Sequence, residues 1–145
     1  MGVPGLISTG LVAVVLMATT ATGAPDERLR PCPESPNCVS SLADDPGHSI
    51  PPITYTGDPH TAWITIRSVL LAQQRSVLVD DAADYLHAEV RSLIFRFVDD
   101  VELLHRPEQR LIHVRSASRT GYGDFGVNRR RVENLRTAFQ DQLAN

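Results

Sequence analysis

Between Arg115 and Arg131 the chain reads R-S-A-S-R-T-G-Y-G-D-F-G-V-N-R-R-R, a run that holds five of its arginines. Arg115, Ser116, Ser118, Arg119, Tyr122, Asp124, Asn128 and Arg129 crowd polar groups around a glycine-rich turn and the start of a helix. Guanidinium forks suit carboxylates and phosphates, and a helix N-terminus attracts anions through its free N–H groups. Successive arginines at a helix start oppose the helix dipole unless something negative lies close. That charge has three possible sources: Asp124 in the turn, Asp99 and Asp100 on a preceding strand, or the carboxylate or phosphate of a bound ligand. Two readings follow. In one, Arg115, Arg119, Asn128, Arg129, Ser116, Ser118 and Tyr122 bind an anion, supported by Asp99, Asp100 and Asp124. In the other the same groups close into an Arg–Asp network that fixes the loop, because an unpaired buried charge is costly.

An enzymatic reading is also open. His113, Asp99, Asp100 and Asp124 are candidate acid/base groups for a hydrolase, with Ser116 or Ser118 as nucleophile. Against it, there is no G-x-S-x-G elbow, no H-E-x-x-H and no two-histidine-carboxylate spacing. His113 also lies three residues from Ser116, on the opposite face of a regular strand. Gly121-Tyr-Gly123-Asp-Phe-Gly126 matches G-x-G-x-x-G in letters, but a dinucleotide fingerprint needs a βαβ unit with a further strand carrying an acid. Here the following helix ends the chain, so the glycines are read as permitting positive φ in a tight turn. Neither a metal nor a cofactor is implied.

The elements that must position these groups can be read in outline. Asp58 is an expected N-cap and Pro59 the first helical residue. Ala62, Trp63, Ile66, Val69 and Leu70 then form an apolar stripe, and the helix should end near Gln74. Four strand-like runs follow, Ser76–Asp80, Tyr85–Val90, Leu93–Leu104 and Leu111–Ser118, with Asp99-Asp100 marking an expected bulge. The final helix is expected from Asn128 as N-cap, with Val127 stapled onto Val132. Short connections imply antiparallel pairing. The expected fold is α+β: a four-stranded antiparallel sheet with two helices on one face, order αββββα, over residues 58–145. An irregular arm, residues 25–57, precedes it.

Cys32-Pro-Glu-Ser-Pro-Asn-Cys38 holds the only two cysteines. Their even number and short spacing predict a disulfide that ties the arm down. C-x-x-C redox spacing is absent, and a zinc site using His48 and His60 fits no standard pattern. Gly5 to Thr22 carries no charge, and Leu6–Ala18 fits the apolar core of a signal peptide. Small residues then allow cleavage after Gly23 or Ala24. A retained anchor is the rival, and membrane contact is expected only through an uncleaved N-terminus. Export to a bacterial periplasm or cell envelope is the expected localisation.

The length of 145 residues suits one domain. All 14 basic residues are arginine, and the net charge of −3 gives no global reason to expect nucleic acid. Seven acids face two arginines over Asp80–Glu102, and seven arginines face two acids over Arg106–Arg131. These neighbouring segments are expected to neutralise each other in the fold.

C-P-E-S-P-N-C-V-S-S at Cys32–Ser41, F-R-F-V-D-D-V-E at Phe95–Glu102 and the Arg115–Arg131 segment together resemble domain-of-unknown-function family 1499. The resemblance covers nearly all of the part after the N-terminal run, with three motifs in order. Thr120 stands where the typical pattern has Val. The resemblance implies a bacterial envelope or thylakoid-lumen protein and supplies no activity or catalytic residue. Three functions are therefore carried forward. One is a non-enzymatic envelope protein binding a small anion or a partner's acidic surface, another is a hydrolase-type enzyme, and the last is an envelope scaffold or assembly factor.

Overall fold

Asp58 and Pro59 open the first helix, α1 (Pro59–Ala72), as their chemistry dictates. The Asp58 carboxylate accepts from the Thr61 N–H at 2.7 Å and from the Thr61 hydroxyl at 2.8 Å. Both bonds hold its pKa below the ordinary value. The helix stops at Ala72, two residues before the expected end, because Gln73 turns extended and Arg75 takes a positive φ of 60°. The computed structural model describes residues 1–2, 28–92 and 96–145. The expected signal peptide or anchor and its cleavage sites fall on residues 3–27, outside the described residues. Among the described residues no helix is long and apolar enough to cross a membrane.

After α1 the chain forms an antiparallel meander: β3 (Ser76–Asp81), β4 (Tyr85–Arg91), β5 (Val98–Arg106) and β6 (Leu111–Ser118). The sheet has six strands, not the expected four. Two short strands from the arm, β1 (Cys38–Ser40) and β2 (Ile53–Thr54), pair antiparallel with the outer edge of β6, Cys38 opposite Ala117 and Ile53 opposite Ile112. Segments of three and two residues show no period of their own. They are strands because β6 offers an unpaired edge of N–H and C=O groups.

The third run is also corrected. The strand begins at Val98, and Leu93–Phe95 lie outside the described residues. Asp99 and Asp100 sit in an unbroken register with β4 and β6, so they mark no bulge. The irregularity lies instead in edge strand β3, between Leu78 and Asp80.

The last helix, α2, spans Val127–Leu143. Asn128 is its second residue rather than its N-cap, and Val127 is exposed, so no staple forms. The residue before the helix is Gly126 at φ 75°, and the capping acceptor comes from further back. Asp124 accepts from the N–H groups of Gly126 and Asn128, each at 2.8 Å.

Both helices cover one face of the sheet. Trp63, Ile66 and Leu70 of α1 and Val132, Leu135 and Phe139 of α2 meet Leu86, Ala88, Val101, Leu103, Ile112 and Val114. Burying each such side chain contributes about 1.5–3 kcal/mol. His105 lies in this layer, stacked on Trp63 with ring centroids 5.0 Å apart and joined to the Tyr55 hydroxyl at 2.6 Å. Burial lowers its pKa. The opposite face is crossed by the arm, where Leu29 packs on Tyr85 and Leu104 and Arg28 pairs with Asp84. Antiparallel order gathers the α1–β3 turn, the β4–β5 connection, the β6–α2 loop and the cysteine loop at one end of the sheet.

Candidate functional site

Period-two alternation divides the arginine segment and its acids between the two faces of the sheet. Ser116, Ser118 and Asp99 point toward the helices, while Arg115, Asp100 and Glu102 point to the face crossed by the arm. The predicted site residues therefore form two clusters.

The first cluster lies under α2 and centres on Asn128, which is wholly buried. Its Oδ1 accepts from the Ser116 hydroxyl at 2.6 Å and from Arg131 Nη1 at 2.8 Å. Its Nδ2 lies within bonding distance of the Asn37 carbonyl at 3.0 Å, Ser118 Oγ at 3.0 Å and Asp124 Oδ2 at 2.8 Å. Arg131 also donates to Asp99 at 2.5 Å. Burial pushes the Asp124 carboxyl up, but the backbone N–H groups of Asn128 and Gly126 outweigh it and hold its pKa below the ordinary value. Each of these polar side chains has a partner within the cluster, which ties the loop to β5, β6 and the start of α2.

The second cluster lies on the other face. Arg115 and Glu102 form an ion pair at 2.5 Å, their residues 7% and 2% exposed. The Tyr85 hydroxyl donates to the same carboxylate at 2.8 Å, and burial, with Glu102 beside it, drives the phenol pKa far up. Beside this pair, Arg119 Nε and Nη2 bond both Asp100 oxygens at 2.9 and 2.7 Å, and Nη2 reaches Glu89 at 2.6 Å. His87 Nε2 lies 2.6 Å from Asp100 Oδ1. Burial pushes the Asp100 pKa up, yet bonds from Arg119 and His87 bring it below the ordinary value. The Arg119 guanidinium is driven correspondingly up by Asp100 and Glu89. A carboxylate held so firmly ionised is a poor proton carrier near neutral pH.

This second cluster opens to solvent. Arg30, Pro31, Cys32 and Pro33 of the arm face Asp100, Arg115, Ala117, Ser118 and Arg119 across a groove of about 580 Å³. Cys32 and Cys38 are disulfide-bonded, as the spacing predicts, with Cα atoms 5.7 Å apart. The bridge holds the proline-flanked wall against β6. The Arg115 Nε–H is buried and has no acceptor among the described residues.

The remaining predicted residues do not converge. Arg129 leaves the groove entirely and donates to the carbonyls of Ser49 and Gly47 at 2.9 and 3.2 Å. Tyr122 is exposed in the loop. Gly121 and Gly126 take φ of 87° and 75°, as expected for a tight turn, but Gly123 does not, and the third positive φ falls on Phe125. His113 lies 3.1 Å from the Ser41 hydroxyl, whose oxygen also accepts from the Val114 N–H at 2.9 Å. Ser41 thus completes the ladder beside β1, while Ser116 is committed to Asn128. The four hydrolase candidates are divided, Asp99 and Asp124 in the cluster under α2 and Asp100 and His113 on the other face. Among the described residues no group of three or more His, Cys, Asp or Glu is placed to hold a metal ion.

Six participants, Asn37, Tyr85, His87, Glu89, Glu102 and Arg131, lie outside the predicted site residues. Alternation does carry a signal for two of them. Glu89 shares a strand face with Tyr85 and His87, and Glu102 shares one with Asp100.

A search among curated proteins finds no match. A family model described as "Protein of unknown function (DUF1499)" matches residues 28–139, which take in both clusters, the arm wall and most of α2. With that match spanning most of the chain and all three motifs, this protein belongs to the DUF1499 family.

Proposed function

We propose that this chain is an exported envelope protein that binds rather than transforms, holding a small carboxylate- or phosphate-bearing ligand in the groove between the cysteine loop and β6. The observation that carries the reading is Arg115, which lines the groove while its Nε–H is buried behind the surface without an acceptor among the described residues. An orphaned buried donor costs about 1–3 kcal/mol, and a small turn of the guanidinium toward an anion in the groove would relieve it. Arg30 and Arg119 at the groove add positive charge, against the single lining carboxylate of Asp100. Export is supported by the cysteine bridge and the uncharged apolar run near the N-terminus.

Titration with inorganic phosphate and with citrate, followed by amide NMR, tests the site. Saturable shifts at Ala117, Ser118 and Arg119 are the expected result. Arg119→Ala should weaken binding while the folded spectrum persists, since its side chain is 43% exposed. No saturable shift with either anion, or unfolding of Arg119→Ala, overturns the reading. Cell fractionation with mass spectrometry of the mature N-terminus tests export, and a purely cytoplasmic full-length chain overturns it.

A further inference from the structure

All three exposed aromatic side chains among the described residues, Phe97, Tyr122 and Phe125, stand at one end of the molecule. The other described aromatics, Tyr55, Trp63, Tyr85 and Phe139, are buried. Phe97 precedes β5, and the other two lie on the β6–α2 loop. The two segments are tied together where the Arg119 N–H bonds the Val98 carbonyl at 3.0 Å.

Phe125 is 97% exposed and carries a positive φ of 52°. A bulky side chain in that region is strained, and such strain persists only where the surroundings over-determine it. Here they do. Arg130 Nη1 bonds the Phe125 carbonyl at 2.8 Å, Asp124 caps the next turn, and Asn37 Nδ2 bonds the Gly121 carbonyl at 2.7 Å. The loop therefore displays its rings from a fixed platform.

The same end is cationic. Arg75, Arg91, Arg96 and Arg130 are all exposed there. Most acids at this end are already engaged: Glu89 is bonded to Arg119 and within 3.4 Å of Arg91, Asp99 and Asp100 are buried in ion pairs, and Asp124 caps α2, while Glu34 on the cysteine loop and Asp45, bonded to His48 beside it, are exposed. The far end carries Asp58, Asp81, Asp84 and Glu108, with Arg28 paired to Asp84, Arg67 to Asp81, and Arg106 and Arg110 flanking Glu108. In a chain of net charge −3, four exposed arginines thus stand beside the exposed rings. Phe97 stands before β5, Tyr122 and Phe125 share the β6–α2 loop, and none lines the groove at Arg115. Exposed rings set among exposed guanidinium groups fit an anionic bilayer surface, which offers phosphates and apolar chains together.

We infer that this end docks on the surface of a bilayer containing anionic phospholipid, with Phe125, Tyr122 and Phe97 entering the interface and the surrounding arginines meeting headgroup phosphates. This inference does not depend on the anion groove.

Co-sedimentation with vesicles tests it. The full protein should bind vesicles of phosphatidylglycerol and phosphatidylcholine in equal parts, and release in high salt or on pure phosphatidylcholine. Phe125→Gly should reduce the partition coefficient roughly tenfold or more, with an unchanged or raised Tm because glycine accepts the positive φ. Arg96→Glu with Arg130→Glu should reduce it by a similar factor. Absence of binding to the anionic vesicles at low salt overturns the inference. So does equal binding to neutral vesicles, or binding that neither variant weakens.

Discussion

Asn128 reaches across 91 positions of sequence to the backbone of Asn37, its Nδ2 lying 3.0 Å from the Asn37 carbonyl oxygen. The same oxygen accepts from the Ser118 N–H at 2.9 Å. Asn37 returns the link by donating from Nδ2 to the Gly121 carbonyl at 2.7 Å. The cysteine loop, the end of β6 and the start of α2 are thereby closed onto one another. Arg131 adds β5 through Asp99.

Replacing Asn128 with Ala should therefore cost about 2–4 kcal/mol, since it strands the buried Ser116 hydroxyl and removes one bond each from Arg131, Asp124 and the Asn37 carbonyl. Urea unfolding measures this. A loss under about 1 kcal/mol would show that water repairs the site.

Arg115→Met should be more damaging than the double variant Arg115→Met with Glu102→Leu. The single change leaves a nearly buried carboxylate facing only the Tyr85 hydroxyl. Breaking a buried pair on one side costs about 3–5 kcal/mol, whereas replacing both ions by apolar groups is often near neutral. A double-mutant cycle on unfolding free energies reads the difference. The double variant should fold and fail to bind phosphate in the groove.

Acid should destabilise the domain through His105. Burial lowers its pKa in the fold below the ordinary 6.5, so the unfolded chain binds the proton more readily. Stability is complete above that ordinary value and declines as pH falls from it toward the lowered one. Tm should fall between about pH 7 and about pH 5. In His105→Phe the Tm at neutral pH should be lower, because Tyr55 loses its partner, and its slope with pH flatter. An equal slope would place the titration elsewhere.

Changing Cys32 and Cys38 to Ser together should cost about 2 kcal/mol on the chain-entropy scale for so short a loop. The sheet should survive, because β1 still pairs with β6 through Val39 and Ser40. The groove wall at Pro31 and Pro33 should loosen, seen as faster amide exchange at Cys38 and Ala117.

Much of this arrangement is legible in the amino-acid sequence. Asp58-Pro59 starts a helix by local chemistry, and the four longer strands announce themselves by alternation. The pairing of mid-chain acids with late arginines is real, in Arg115–Glu102, Arg119–Asp100 and Arg131–Asp99. What stayed hidden depends on distant partners. Nothing local makes Ile53-Thr54 a strand; its pairing with Leu111 and Ile112 does. Asn128 resembles an N-cap by type, but the positive φ of Gly126 lets Asp124 reach the free N–H groups from two residues behind it. The single expected anion site came apart because Arg115 and Ser116 are adjacent, and adjacent strand residues must part to opposite faces.

The irregularity between Leu78 and Asp80 sets what the sheet does when many copies meet. Strand β3 is its free margin, with Val77 and Val79 outward and Asp80 and Asp81 following. A straight margin with two exposed valines would recruit a like strand from a neighbouring molecule. The shifted register twists the margin, and Asp80, next to the Arg67–Asp81 pair, places charge where a copy would come alongside. At the far margin, β1 and β2 already occupy β6. Neither margin of the sheet thus offers a long, straight, unpaired strand for a second copy to extend.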